Sequence, residues 1–326
     1  MYEVKNCIDA GSEYCPCHLA KTGECIICSQ LSGKSFCDCK NWKGTCILQE
    51  YHRNGNKPKS QRRTYNGTVI EKVYEDNGIL KLKIKSSISL IKGLKRLGSF
   101  VFLRSESSQE FYDCPISILK VDEEEEVIVV AIEIRGIKTK TIEGINEKDN
   151  ILIRGPFWNG IFGVKKLSEL SNDKVIVLGR GIGIAPLIPV LKDLLRRNNK
   201  VFLILDSGDF KKDIFDGELS FFQGERVPMK IFDNGELSKE LNECLLNLIN
   251  TQGYSHIHIS GPDILAYKVT KEYKNSLTLS CSNNAKMCCG EGVCGSCSSR
   301  YSGHIVRRLC KVQCEPNSLF EGRRLI

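Results

Sequence analysis

The chain has 326 residues, 41% of them hydrophobic and 26% charged, with a formal net charge of +8. That length admits two or three domains, and the composition is that of an ordinary soluble globular protein. No apolar run approaches the ~18 residues of a membrane span.

The longest apolar run, Val127–Ile132, reads as a strand. The opening MYEVKNCIDAG has no basic segment followed by an apolar one, so no signal peptide and a cytoplasmic location are expected. The chain holds 17 cysteines, and in a reducing compartment these argue for metal or cluster ligation rather than disulfides. Neither a membrane nor a nucleic acid is expected as a partner.

Residues 1–52 form a Cys-rich module. Cys7, Cys15, Cys17, Cys25, Cys28, Cys37, Cys39 and Cys46 crowd into it, and periodic apolar pattern is scarce. A segment so short and apolar-poor hardly folds without cross-links, and eight thiols suit two four-coordinate sites. Their C-x-C pairs fit neither a standard iron–sulfur nor a standard zinc spacing, so additional Fe–S clusters and zinc both stay open. His18 follows Cys17. Residues 53–63 carry Arg53, Lys57, Lys59, Arg62 and Arg63 among Asn, Gly, Pro and Ser, without aromatics to stack bases. They read as a solvated basic linker.

From Thr64 the pattern turns to strands. Leu80, Leu82 and Ile84 alternate with lysines, and Ser99–Leu103, Ile116–Val121 and Val127–Ile134 follow at short spacing. This predicts an antiparallel β-barrel or sandwich over 64–167. The acidic run Asp122–Glu126 reads as an exposed hairpin turn.

Over 168–275 strands alternate with helices, which predicts a parallel-sheet α/β domain. Lys174–Leu178, Val201–Leu205 and His256–Ser260 are the strands. Leu187, Leu191, Leu194 and Leu195 mark one helix, and Leu237, Leu241, Leu245 and Leu248 another. Gly179, Gly181 and Gly183 follow the first strand and open the first helix, where backbone N–H groups meet a pyrophosphate. Pro186 suits the first helical turn. Asp206 ends the next strand 23 residues after Gly183, placed to accept both ribose hydroxyls of NAD. Its charge would repel a 2′-phosphate and leans the NAD(P)H choice to NADH, while Lys211 and Lys212, which follow closely, counter it. His256 and His258 alternate on a strand and read as structural.

The segment 276–326 carries Cys289, Cys294, Cys297 and Cys310, spaced C-x4-C-x2-C-x12-C. Three close thiolates and one remote one reproduce the plant-type 2Fe–2S pattern. Gly290, Gly292 and Gly295 let the loop wrap a cluster and bring N–H groups to its sulfurs. Structural zinc sites instead show paired short knuckles. Cys281, Cys288 and Cys314 are extras, and Cys288 abuts Cys289.

In this order the pieces resemble a family. Residues 64–326 are similar to the electron-transfer subunit of B-type dihydroorotate dehydrogenase, a branch of the ferredoxin–NADP reductase superfamily. They also resemble the small subunits of sulfide dehydrogenase and of bifurcating transhydrogenases. The likeness rests on Cys114-Pro115-Ile116-Ser117-Ile118, Gly155-Pro156-Phe157-Trp158-Asn159-Gly160, Gly179–Pro186, Gly261-Pro262-Asp263 and the cysteine loop.

The resemblance implies FAD on the barrel, with Ser117 near flavin N5. The family's phosphate-pairing Arg is replaced by Cys114. Gly136 and Thr139 match a flavin-contacting segment in which Lys138 replaces a glycine. Ser260 is implied to lie close to the nicotinamide. The activity implied is hydride transfer from NADH to FAD, then single electrons through 2Fe–2S to a catalytic oxidoreductase subunit or a ferredoxin-like carrier. The replaced Arg motivates a rival, an iron–sulfur redox sensor without functional FAD. A zinc-stabilised interaction subunit is a third reading.

Overall fold

Ahead of the first long strand, the computed structural model holds little regular structure. Among its described residues this part has a two-residue strand β1 (Asn6–Cys7), a 3-10 turn (Gln30–Ser32) and the short helices α1 (His18–Lys21) and α2 (Ile47–Arg53). The structure describes residues 6–37, 44–75, 78–210, 214–300 and 305–320. Cys39, Lys211 and Lys212 therefore lie outside the described residues. The module's own core is small: Ala20, Leu31 and Ile47 are buried, and Cys15, Cys25 and Cys28 pack against them.

Next come β2 (Arg63–Glu75), β3 (Ile79–Lys85), α3 (Ile88–Gly93), β4 (Phe100–Ser105), β5 (Cys114–Asp122), β6 (Val127–Glu133), α4 (Ile137–Glu143) and β7 (Asn150–Phe157). Six strands close a barrel in the order β2-β3-β6-β5-β4-β7, which leaves no open edge. Alternation sorts the side chains. Leu82, Ile84, Val101, Leu103, Ile116, Ile118, Ile128 and Val130 fill the interior. Phe100, Phe102, Leu119 and Ala131 are buried outside it, against the rest of the molecule. The run Asp122–Glu126 is the turn between β5 and β6, with Asp122 Oδ1 accepting from the N–H groups of Glu124 (3.1 Å) and Glu125 (3.2 Å).

The second sheet begins earlier than the sequence indicated. β8 (Ile161–Phe162) already pairs with it, ahead of the division read at 167, because a two-residue strand carries no periodicity. Then follow α5 (Val164–Glu169), β9 (Lys174–Arg180), α6 (Ile184–Arg196), β10 (Lys200–Asp206), α7 (Asp216–Leu219), β11 (Glu225–Pro228), β12 (Phe232–Asp233), β13 (Glu236–Leu237), α8 (Lys239–Asn250), β14 (His256–Ser260), α9 (Asp263–Tyr273) and β15 (Thr278–Ser282). The strand order is β11-β10-β9-β14-β15-β8, parallel except for β8. Val175, Ile176, Val177 and Leu178 of β9 are wholly buried, as a sheet covered on both faces requires. Leu237, read as the start of a helix, lies in β13 instead. It joins the same apolar cluster as Leu241 and Leu245 of α8, so burial alone gave it helical spacing.

The chain closes with β16 (Ser298–Arg300), β17 (Val306–Arg308), β18 (Val312–Gln313) and α10 (Pro316–Leu319). β18 pairs antiparallel with β1, which ties the amino-terminal module to the carboxy-terminal segment. Among the described residues no helix is long and apolar enough to cross a membrane.

Candidate functional site

The glycine turn after β9 is tight for identifiable reasons. A Cβ on Gly179 would lie 2.9 Å from Leu187, and one on Gly183 would lie 2.7 Å from both the Gly261 nitrogen and the Ser260 carbonyl oxygen. Gly181 has φ of +59°, a left-handed conformation natural to glycine. The turns after β9 and β14 thus touch backbone to backbone. Ser260 Oγ fastens them, donating to the Gly183 carbonyl at 2.7 Å. Asn284 donates to the Gly261 carbonyl (2.6 Å) and to Asp263 (3.2 Å), so the second turn is tied to the segment entering the cysteine loop.

Asp206 sits beside this turn with its carboxylate engaged. Oδ1 accepts from the Gly208 N–H at 2.8 Å, and Oδ2 accepts from Arg180 Nε and the Ile231 N–H, both at 3.0 Å. Sequence spacing found the carboxylate but not its ion pair with Arg180.

On the barrel, Pro115, Ile116 and Ser117 lie on β5. Ser117 lines a crevice of about 570 Å³ between the barrel and α6, together with Gly98, Gly160, Pro186 and Pro189. Gly160 is packed on the Gly98 carbonyl, which a Cβ would approach to 2.5 Å. A Cβ on Gly155 would lie 3.1 Å from Val101, and the Gly155–Pro156 peptide is cis. Asn159 is wholly buried: its amide donates to the carbonyls of Leu309 (2.7 Å) and Val312 (2.9 Å), and its oxygen accepts from Gln313 (2.6 Å). Its side chain holds the cysteine-bearing segment against the barrel.

The position of the replaced Arg is not short of positive charge. Asp113, next to Cys114, is gripped by Arg104 (2.7 Å) and Arg154 (2.8 Å), and Lys138 Nζ donates to its carbonyl at 2.8 Å. Three cations against one carboxylate leave a net charge of +2 there. Burial pushes the Cys114 thiol up, with Lys138 opposing, so it is a neutral neighbour. Thr139 Oγ1 accepts from the N–H groups of Arg135 (3.0 Å) and Gly136 (3.1 Å), capping α4, and the space above Gly136 is open. Arg104 and Arg154 have no motif that marks them, because their partner is remote in sequence.

Arg154 also reaches the cysteine loop, donating to the carbonyls of Cys289 (2.8 Å) and Cys288 (3.3 Å). Within the loop the thiols form a chain of contacts, Cys294 to Cys289 to Cys310 to Cys297. The N–H groups of Glu291 (3.3 Å) and Cys294 (3.5 Å) point at Cys289 Sγ, and that of Cys310 (3.4 Å) at Cys297 Sγ. Hydrogen bonding from Cys310 and these amides holds Cys289 well below the usual thiol range, and bonding to Cys289 and Cys297 raises Cys310. Gly290 has φ of +70° and lies against Phe157, whose ring a Cβ would meet at 2.4 Å.

In the amino-terminal module the Cys28 N–H points at Cys25 Sγ at 3.4 Å. Cys15 lies close enough to feel Cys25 and Cys17, Cys25 to feel Cys17 and Cys28, and Cys7 to feel Cys17. Burial pushes the Cys15 thiol up to about 11 and raises Cys25. Cys37 is exposed, and Cys46 directly precedes α2 with no side-chain capping bond. Among the described residues no three His, Cys, Asp or Glu side chains converge on one metal position. A two-iron cluster draws two ligands to each iron, so a chain of four thiols does not need such convergence.

One expectation is corrected outright. Arg62, assigned to a solvated linker, has a side chain only 1% exposed. It pairs with Asp9 (2.5 Å) and Glu291 (3.1 Å), and Lys311, fully buried, pairs with the same two carboxylates at 2.5 and 2.7 Å. Its guanidinium also stacks on Tyr14 at 4.1 Å. Lys311 and Arg62 outweigh the effect of burial and hold the Asp9 carboxyl down to about 2.

No family model matches the chain. Among curated proteins, the chain is 30% identical over 278 residues to the dihydroorotate dehydrogenase B (NAD(+)) electron transfer subunit of Clostridium acetobutylicum, covering 79% of this chain and 97% of that one. The subunit of the same name from Streptococcus pneumoniae is 26% identical, over 66% of this chain and 83% of its own. Among solved structures, an NADH-dependent reduced ferredoxin-NADP oxidoreductase chain superposes with a TM-score of 0.61 at 22% identity, covering 77% of this chain and 88% of that one. A Plasmodium falciparum ferredoxin-NADP+ reductase, 19% identical, gives 0.50 over 67% of this chain and 96% of its own. The barrel-plus-parallel-sheet fold is theirs, and the chain belongs to the family of dihydroorotate dehydrogenase B electron transfer subunits.

Proposed function

We propose that this chain is an NAD(P)H-linked flavin and iron–sulfur electron-transfer subunit. It would take hydride from NADH onto FAD and pass single electrons through a 2Fe–2S cluster to a catalytic oxidoreductase subunit or a ferredoxin-like carrier. The observation that carries the reading is the junction at Arg154, one side chain that joins the cation group beside β5 to the backbone of the cysteine loop.

The residues present fit FAD. A diphosphate needs positive charge and open backbone, and the net +2 around Asp113 beside Gly136 supplies both without an Arg at Cys114. Ser117 and Pro115 would hold the flavin edge on β5. Bound there, FAD supplies the conversion of a two-electron donor into one-electron steps. Gly181 and Gly183 would seat the coenzyme pyrophosphate. Ser260, already bonded to Gly183, fixes the spacing between the two turns rather than offering a free hydroxyl.

Cys289, Cys294, Cys297 and Cys310 would ligate the cluster, with the amides of Glu291, Cys294 and Cys310 bonded to its sulfurs. Cys294 is exposed and Val293 beside it is 61% exposed, an apolar edge suited to a protein partner. The amino-terminal thiols would hold a second centre, Fe–S or zinc, since the module's apolar core is too small to fold unaided.

The test is anaerobic purification followed by assay of iron, sulfide, zinc and released flavin. About one FAD per chain on the barrel is expected, with two irons for the carboxy-terminal cysteine site. Flavin-free protein that still holds iron after reconstitution would favour the redox-sensor reading.

A further inference from the structure

Asp9, Arg62, Glu291 and Lys311 form a closed, buried ring of two carboxylates and two cations, and the family's electron path does not call for it. Its members come from four places: the amino-terminal module, the segment before the barrel, the cysteine loop, and the residue after Cys310. Glu291 lies between Cys289 and Cys294, and its second oxygen, Oε1, is buried with no partner.

Other contacts hold the module at the same place. The Ile8 N–H donates to the Lys311 carbonyl at 2.9 Å, and Cys7 pairs with Val312 across β1 and β18. A Cβ on Gly292 would meet Leu19 of α1 at 3.1 Å, and Glu24 pairs with Arg308.

From this geometry we infer that Asp9 and Lys311 are positioning residues through which the amino-terminal module sets the reduction potential of the carboxy-terminal cluster. The inference rests on the cluster reading above. The ring is neutral as built, and reduction adds one negative charge to the cluster beside it. Removing Asp9's charge leaves an excess cation and favours the reduced state. Removing that of Lys311 leaves an excess anion and disfavours it. A unit charge on the order of 10 Å away, at an effective dielectric constant of about 20, shifts the reduction equilibrium roughly tenfold, or ~59 mV for one electron.

The experiment is a potentiometric titration of the cluster's EPR signal in the full chain, for Asp9→Asn, Lys311→Met, Lys311→Arg and the double variant D9N/K311M. Asp9→Asn is expected to raise the potential and Lys311→Met to lower it. Lys311→Arg and the double variant should stay near wild type, which a purely structural role does not produce. Unchanged potentials in folded Asp9→Asn and Lys311→Met overturn the inference.

A single variant that leaves an unpaired buried charge is at risk of losing the cluster. Should Asp9→Asn do so, the neutral double variant decides: return of the signal supports the coupling, and continued loss overturns it. Failure of the wild type to take up any iron–sulfur cluster strikes instead at the electron-transfer reading. In that case the ring is judged on thermal unfolding of the same variants, where additive shifts of Asp9→Asn and Lys311→Met refute it.

Discussion

At Asp206 the sequence proposes one duty for the carboxylate and the structure shows another. Spacing after the glycine turn marks it as the ribose acceptor, while the structure gives it three donors, Arg180 among them. Both duties exclude a 2′-phosphate, because burying a phosphate beside an ionised carboxylate costs electrostatic energy. NADH is therefore expected to be the better donor. Asp206→Ser should cut the NADH/NADPH ratio on the order of tenfold, the worth of one charge-assisted hydrogen bond, and should leave Arg180 free to meet a phosphate. Steady-state dye reduction with each coenzyme reads this. A wild type that prefers NADPH, or a ratio unmoved by the substitution, would make Asp206 only a brace for Arg180.

Residues with a local pattern were legible in the chain; those whose partners are remote were not. The cysteine loop announces itself by spacing within 22 residues. Asp9 and Lys311 are 302 positions apart and Asp9 and Arg62 are 53 apart, so no window of sequence contains either pair. Arg62 looked solvated because its neighbours in sequence are polar, although its neighbours in space are Tyr14, Phe157 and Trp158.

At the scale of elements, the tight turns are the parts least able to change. A Cβ at Gly183 meets only backbone atoms within 2.8 Å, which cannot rotate away. Gly183→Ala should therefore cost about 1–3 kcal/mol of stability and weaken coenzyme binding together. Thermal melting and the KM for NADH check it, and a variant unaltered in both would mean the two turns have slack.

β14 carries a second element-scale consequence. His256 bonds Thr278 (2.7 Å) and Ser280 (3.0 Å), and His258 bonds Ser280 (2.9 Å), all beneath the sheet. Burial depresses His256 to about 4 and His258 to about 3, so both are neutral in the fold and charge more readily when unfolded. Their contribution is complete above about pH 6.5 and is lost as pH falls toward those lower values, about 2 kcal/mol each by pH 5. Urea unfolding at pH 7 and pH 5 should show the loss, and His256→Asn should shrink the difference. Equal midpoints at the two pH values in wild type would contradict it. The alternation of these histidines was readable in the sequence; the strand-to-strand hydrogen bonds that keep them neutral were not, since they need the register of β14 on β15.

For the whole molecule, the two-part fold followed from periodicity, because the strand alternation of the barrel and the β/α rhythm after residue 174 are both local. What escaped was the attachment of the Cys-rich module. Two-residue strands, β1 and β18, and a glycine seated on Leu19 give no periodic signal, yet they bring Cys7 opposite Val312 and α1 against the cysteine loop. The chain is thus a member of its family that carries a further thiol-rich module packed on the cysteine loop.

Under the proposed function, coenzyme, flavin and cluster form one path. Adding NADH to the anaerobic protein and recording its visible and low-temperature EPR spectra tests this, for wild type, Cys294→Ser and Cys297→Ser. Wild type should show bleaching of a flavin band and a 2Fe–2S signal, and both variants should retain the bleaching and lose that signal. A wild type that NADH leaves oxidised, or a 2Fe–2S signal that survives replacement of both Cys294 and Cys297, would contradict it.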